Sequence, residues 1–283
     1  MSEIALDYAV PPADLAAFVT AFYLFRADVP HFEDMERADH AQFRFKLDGG
    51  VASYRFADGT EQPGPEVQII GPTTGATRVS VEGPVRVFGA GLQPAGWAAL
   101  MRVDASALAN RVFDATEVLG PAVTAIADQL RAETRIEAMV EIAACHAREL
   151  LAGIDRTRFG FAEAVDAWLA ASASPDVEEL VRMTGLSRRQ LERNCKALYG
   201  APPKLLARKY RALRAAHALA AGAHPADLLD EGFYDQSHLI REVKQFTGAT
   251  PKQMHDHPGL LAQLTMSGRA ALAGQVPTLV SDT

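Results

Sequence analysis

The chain of 283 residues has only two cysteines, Cys145 and Cys195, which excludes a disulfide framework and a four-cysteine zinc site. No run approaches ~18 uninterrupted apolar residues, so no transmembrane helix is expected. The opening MSEIALDYAVPPADL lacks a basic stretch followed by an apolar one, so no secretory signal is expected. Low-complexity tracts are absent. Basic charge is in deficit, with a net charge of −7, which by itself argues weakly against a nucleic-acid partner. What is present is 48% hydrophobic and 22% charged, enough to build a core and too ordered for a chain disordered throughout. At about 100–200 residues per domain, two domains are expected, in a cytoplasmic protein with no membrane partner.

Catalytic signatures are scarce. No G-x-S-x-G elbow or other nucleophile context occurs. Gly89-Ala90-Gly91 has neither the spacing nor the following helix cap of a phosphate loop. His31, Glu33 and His40 fall short of the tight His-x-His with Glu and a further His that metal-binding cupins use, and read as exposed loop residues. His255-Asp256-His257 reads as a solvated helix end. Cys145 and Cys195 both lie on apolar helical faces and are expected to be buried, inert thiols. No enzyme activity, catalytic residue, metal or cofactor is therefore expected. The rival reading is a cupin-like metal enzyme with a DNA-binding appendage, in which His31 and His40 would be ligands.

The charge is unevenly spread. Arg182 to Arg214 holds ten basic residues against the single acid Glu192, a net of +9, and leaves −16 for the rest. Such a block in an acidic protein is a footprint suited to phosphate, or else a solvated helix face.

Along the chain, residues 14–26 fit a short helix or a strand equally well. From Ala41 to Leu92 the runs QFRFKLD, VASYRF, VQIIG, TRVSVE and VRVFGAG are strand-like, punctuated by Gly and Pro pairs, and predict an antiparallel sandwich or small barrel. After Pro94 the pattern is helical. Ile136, Met139, Val140, Ala143, Ala147 and Leu150 form one stripe, which packs on its own domain or forms a dimer seam. A break at Gly153–Gly160 separates the domains. The expected organisation is a β-rich sensor or dimerisation domain over 1–153, a DNA-binding domain over 154–258, and a tail over 259–283 with one short helix and a frayed end. The aromatics Phe22, Tyr23, Phe25, Phe43, Phe45, Tyr54, Phe56 and Trp97 would line an effector pocket or fill the core.

The most informative stretch is the C-terminal third. Val177, Leu180 and Val181 give an apolar face. Thr184-Gly185-Leu186 follows, with glycine supplying the positive φ of a tight turn. Ser187 then caps a new helix. In that helix Leu191, Cys195 and Leu198 point inward, while Arg189, Glu192, Arg193 and Lys196 occupy the opposite side. The layout recurs about 48 residues later. Leu228 and Leu229 precede Gly232-Phe233, and Asp235 caps a helix with Leu239, Val243 and Phe246 inward. Gln236, Ser237, Ile240 and Arg241 face out. Between the units a helix starts at Pro203 and runs to about Ala221, with Leu206, Tyr210, Leu213, His217 and Ala220 as its core stripe. At 1.5 Å per residue it spans roughly 27 Å. Two recognition helices on such a spacer suit successive major-groove turns about 34 Å apart, with some DNA bending.

The blocks Gly185-Leu186-Ser187-x-Arg189-x-Leu191-x-Arg193, Gly200-x-x-Pro203-Lys204, Gly232-Phe233-x-Asp235-Gln236-Ser237-His238-Leu239 and Phe246-Thr247-Gly248-x-Thr250-Pro251 occur in order. Over residues 160–257 they resemble the DNA-binding domain of AraC/XylS transcriptional regulators. Residues 1–150 resemble, more distantly, the β-rich domains attached to some of them. The fold implied is α+β: a sandwich- or barrel-like N-terminal domain with trailing helices, then an all-α domain of two helix-turn-helix units joined by a long helix.

The resemblance implies a sequence-specific regulator, with double-stranded DNA as partner in two successive major-groove segments. A small-molecule effector and a homodimer are further expectations, as is RNA polymerase if it activates. Arg189, Glu192, Arg193, Gln236, Ser237, Ile240 and Arg241 would face bases, where arginine matches guanine, glutamine adenine and glutamate the cytosine amine. Ser187, Arg188, Lys196, Lys204 and Arg208 would meet phosphates. Two positions depart from the family. Asp227 either occupies a normally buried site or marks a missing residue, and Cys195 stands where a large aromatic is usual. The second unit is also less basic, so the first is expected to supply most of the affinity.

Overall fold

The strand-like runs form strands because they are rich in β-branched and aromatic residues between turn residues. The structure, a computed structural model, describes residues 4–101, 103–155 and 159–283. The strands are β1 Ile4–Ala9, β2 Val19–Ala27, β3 His31–Glu36, β4 Gln42–Lys46, β5 Val51–Arg55, β6 Glu61–Pro63, β7 Val67–Ile70, β8 Thr77–Glu82, β9 Val85–Leu92 and β10 Val112–Asp114. They make two antiparallel sheets, ordered β1-β2-β9-β4-β7-β10 and β3-β8-β5-β6. The ambiguous stretch 14–26 resolves into a turn followed by β2, because Val19 to Ala27 pairs along β9, with an irregularity between Val19 and Phe22. Gly89 faces Tyr23 in that ladder, and a side chain there would meet the tyrosine ring at 2.2 Å.

Alternation along the larger sheet supplies two cores. Phe22, Leu24, Ile69 and Phe88 face one way, packing with Trp97, Leu130 and Met139. These last belong to α1 Pro94–Leu100, α3 Ala122–Arg131 and α4 Ile136–Leu150; the short α2 is Ala115–Leu119. On the other side, Val85 and Val112 pack with Phe32, Ala52, Tyr54, Phe56 and Val79 of the small sheet's side. On α4 the expected stripe is buried at Met139 and Val140, with Ala144 added, but Leu150 stays exposed. Cys145 is exposed as well, which corrects its expected burial: it lies next to the buried Ala144, one position off the apolar stripe.

The C-terminal helices are α5 Gly160–Ala171, α6 Val177–Thr184, α7 Arg188–Tyr199, α8 Pro203–Ala220, α9 Gln236–Thr247 and α10 Pro251–Asp256. α8 serves two cores. Its Leu206 and Tyr210 pack with Trp168, Leu180, Leu191 and Cys195, and its Ala215 and Leu219 with Leu228, Phe233, Leu239 and Val243. Its outermost expected core residue, Ala220, is exposed.

The tail departs most from expectation. It holds two helices, α11 Leu260–Ala270 and α12 Thr278–Ser281. Leu261 enters the β-sandwich core and Leu279 the core of the first helical unit. The backbone N–H of Leu261 donates to Asp34 at 2.8 Å. Its Ala- and Gly-rich texture suggests fraying, but two leucines placed at opposite ends of the segment pin it to both domains.

A candidate nucleic-acid interface on two exposed helix faces

Each recognition helix is built the same way. Gly185 takes φ +67 between α6 and α7, and Ser187 caps α7 in a reciprocal box with Gln190. Gly232 takes φ +97, and Asp235 caps α9 by accepting from the N–H of His238 at 2.7 Å. The segment before Gly232, Pro225–Glu231, is 3₁₀ rather than α. This tighter winding resolves the Asp227 departure: Asp227 stays exposed while Leu228 is buried.

On α7, Leu191 and Cys195 are fully buried, while Arg189, Glu192, Arg193 and Lys196 are exposed. Burial pushes the Cys195 thiol up to about 12. On α9, Leu239, Val243 and Phe246 are buried and Gln236, Ser237, Ile240 and Arg241 are exposed. Ser187, Arg188 and Lys204 are also exposed; Arg188 pairs with Glu178. Neither exposed face is hidden against the N-terminal domain.

The basic block divides in two. Arg182, Arg188, Arg189, Arg193, Lys196 and Lys204 are at the surface. Arg208, Lys209, Arg211 and Arg214 on α8 are bonded within the protein. Arg208 donates from Nε to Glu242 at 2.6 Å and to Gln245 at 3.0 Å, so this expected phosphate contact is tied to α9. Arg211 donates to the other Glu242 oxygen and to Ser174. Arg214 caps the end of α5 through the carbonyls of Leu169, Ser172 and Ala173. His238 completes the Glu242 cluster: its Nδ1 accepts from the N–H of Tyr234, which leaves the proton on Nε2, 3.1 Å from Glu242.

Sequence reasoning missed Tyr234, which is 93% exposed directly before the α9 cap. It also missed how the N-terminal domain grips α8 and α9. The N–H groups of Ala38 and Ala76 donate to the carbonyls of Phe246 and Gln245 at the end of α9, at 2.7 and 2.9 Å. Lys209 donates to the carbonyls of Asp39 and Thr73 at 2.7 and 3.3 Å, and Tyr210 bonds His40 at 2.8 Å. Gly200 and Gly248, which end α7 and α9 with positive φ, lie against Pro72 and Met35; an added Cβ would meet them at 2.6 and 2.7 Å.

A cavity of about 100 Å³ lies between the β-sandwich, α8 and α11. Of the aromatics singled out above, Tyr23, Phe25 and Tyr54 line it, while Phe22, Phe45 and Trp97 are core. Arg44 is buried there, bonded to Glu36, Gln42 and the Tyr23 hydroxyl. The histidines of the metal reading have other partners: His31 bonds Glu82, Glu33 pairs with Arg78, and His40 meets Tyr210 and Asp39. Among the described residues no group of three His, Cys, Asp or Glu side chains is placed to hold a metal ion. Nor, among them, is any helix long and apolar enough to cross a membrane.

Two capped, surface-facing helices on one buried linker define a DNA-binding protein of the double helix-turn-helix class. Residues 180–257 match the family model described as a helix-turn-helix domain, and the domain is of the AraC type. The chain thus carries an AraC-type helix-turn-helix DNA-binding domain over residues 180–257. Residues 8–114 match a domain of unknown function (DUF6597). No curated protein sequence matches the chain. Solved structures of ToxT from Vibrio cholerae are similar to it. One is 8% identical with a TM-score of 0.43, covering 81% of this chain and 99% of that one. A second, bound to (E)-4-(8-methylnaphthalen-1-yl)but-3-enoic acid, is 10% identical with a TM-score of 0.44, covering 82% and 97%. A third, bound to an unsaturated fatty acid, is 9% identical with a TM-score of 0.43, covering 82% and 94%.

Proposed function

We propose that this regulator reads two successive major-groove segments of duplex DNA, with Arg189, Glu192 and Arg193 on the first set of bases and Gln236, Ser237, Ile240 and Arg241 on the second. Ser187, Arg188, Lys196 and Lys204 hold the flanking phosphates, and Arg208 orients α9 from behind with its remaining N–H free for the backbone. The supporting observation is that every base-facing side chain is exposed while the opposite stripe of the same helix is buried. Residues 1–153 act as sensor and dimerisation domain, 154–258 as the DNA-binding domain, and the chain works in the cytoplasm, where RNA polymerase is the partner of an activator.

Control by a small-molecule effector is part of the same proposal. The strip Glu36–Asp39 supports it: Glu36, Arg37 and Asp39 line the cavity, and Ala38 between them holds the end of α9. A molecule in the cavity therefore acts on a recognition helix through one peptide strip.

The test is selection of bound duplexes from a random pool at two salt concentrations. A two-part site, with half-sites about one helical turn apart and persisting at the higher salt, is the expected result. Recovery of unrelated sequences, lost together as salt rises, refutes the reading.

A further inference from the structure

The second recognition helix offers apolar surface where the first offers charge. On α7 the base-facing side chains Arg189, Glu192 and Arg193 are all charged. On α9 only Arg241 is charged among Gln236, Ser237, Ile240 and Arg241, and Ile240 stands 37% exposed in the second turn. Directly before the cap, Tyr234 is more exposed than any other large apolar side chain among the described residues. Its place in the chain is nevertheless fixed. Gly232 turns the backbone with φ +97, Phe233 is buried with Leu239 and Val243, and Asp235 caps α9. The N–H of Tyr234 itself donates to His238 Nδ1 at 3.1 Å. A firmly mounted aromatic ring standing in solvent is suited to burial against a partner. Charge works against this unit, because Asp227, Asp230 and Glu231 are exposed just before it. Its hold on DNA therefore needs a contact that is not ionic.

Resting on the reading of α9 as the second base-reading helix, we infer that Tyr234 is a further DNA contact, and that Tyr234 and Ile240 together read thymine through its C5 methyl group. That methyl is the apolar feature of a base edge in the major groove, and an apolar side chain distinguishes thymine by covering it. In a helix-turn-helix the N-terminal part of the recognition helix meets the base edges. Tyr234 flanks the first turn of α9 and Ile240 lies one turn beyond Gln236, so the two bracket Gln236 and Ser237 along the chain. The tyrosine ring covers a methyl while its hydroxyl donates to a phosphate oxygen. The half-site under α9 is then set by thymine and read by shape, whereas the half-site under α7 is read by charged hydrogen bonds. The two recognition helices share one scaffold and use different chemistry on it.

The test takes the duplex preferred by the full chain and replaces each thymine in turn, on either strand, by deoxyuridine. This removes the methyl and leaves the hydrogen-bonding groups in place. The half-site under α9 is the one whose base preferences change in Arg241→Ala. Fluorescence anisotropy titration should show one or two positions there that lose about fourfold in affinity each, the worth of one buried methyl. Deoxyuridine in the other half-site should cost less than about twofold. Tyr234→Ala and Ile240→Ala should each bind the parent duplex more weakly and each abolish the penalty at a different position. Tyr234→Phe, which keeps the ring, should keep the penalty. Tyr234 is 93% exposed, so its replacement leaves the fold intact, as an unchanged Tm would verify. A half-site under α9 that contains no thymine, that tolerates deoxyuridine throughout, or whose penalties are undiminished in Tyr234→Ala overturns the inference and leaves the two-groove reading standing. Loss of all sequence preference sinks the two-groove reading, and this inference with it.

Discussion

Glu242 on the second recognition helix accepts two hydrogen bonds from Arg211 on the linker helix, at 2.6 and 3.1 Å, with only 1% of its surface exposed. Burial by itself would raise its pKa, but Arg208 and Arg211 outweigh that and hold the carboxyl below its ordinary value of 4.5. The stabilisation is therefore present above that value and lost as pH falls through the folded-state pKa. Glu242→Ala leaves two guanidiniums uncompensated and should cost about 3–5 kcal/mol, read as a drop in Tm. Glu242→Gln should also flatten the acid limb of the stability profile. An acid limb identical to that of the parent protein would refute this.

Lys209 is buried at the domain interface, and burial pushes its pKa from 10.5 down to about 8, partly countered by Asp39. Between those two values the unfolded chain binds the extra proton, so the lysine's contribution to stability rises with pH. Thermal unfolding of the wild type and of Lys209→Met, compared from pH 7.5 to 9.5, should show the difference shifting in favour of the wild type. A constant difference across that range counts against it.

The two reading faces differ in charge. Asp227, Asp230 and Glu231 are exposed beside the second unit, whereas the first has Arg182, Arg188 and Lys196. Arg189→Ala should weaken specific binding by ~1–3 kcal/mol, and Lys196→Ala should lower the salt slope by about 1. Arg241→Ala should cost less than Arg189→Ala. A gel-shift titration with Arg241→Ala as the more damaging change reverses the ranking.

The two thiols should separate by reactivity. Cys145 is exposed, and Cys195 is fully buried with its pKa pushed up to about 12. A maleimide should label the native protein once, at Cys145, and a second time only in denaturant. Rapid native labelling of Cys195 would mean that the first helical unit opens.

Local chemistry was the legible part of this fold. Gly185, Ser187, Gly232 and Asp235 act within a few residues of themselves, so the turns and caps could be read directly, and so could the buried stripes of α7 and α9. Five of the six strands between Gln42 and Leu92 were legible for the same reason; the short β6, Glu61–Pro63, was not. Long-range pairing was not. β1 and β3 became strands because β2 and β8 were there to pair with them. Charge was legible only as a total: nothing local distinguishes the exposed Lys196 from the buried Lys209, whose partners Asp39 and Thr73 lie over a hundred residues away. The cavity was illegible for that reason too, since its walls come from three separate stretches of chain.

The grip of the N-terminal domain on Gly200 and Gly248 has a geometric meaning. Both DNA-reading helices are held at their rear ends by one rigid β-sandwich, and their front ends project free. The gap between the two front ends is then fixed as by a pair of callipers, with α8 as the hinge bar and the sandwich as the locking screw. Under the proposed two-groove reading, operator spacing should depend on the N-terminal domain as much as on the DNA-binding domain. Freeing the C-terminal domain from the N-terminal one should leave the preferred bases of each half-site unchanged while widening the range of spacings accepted between them.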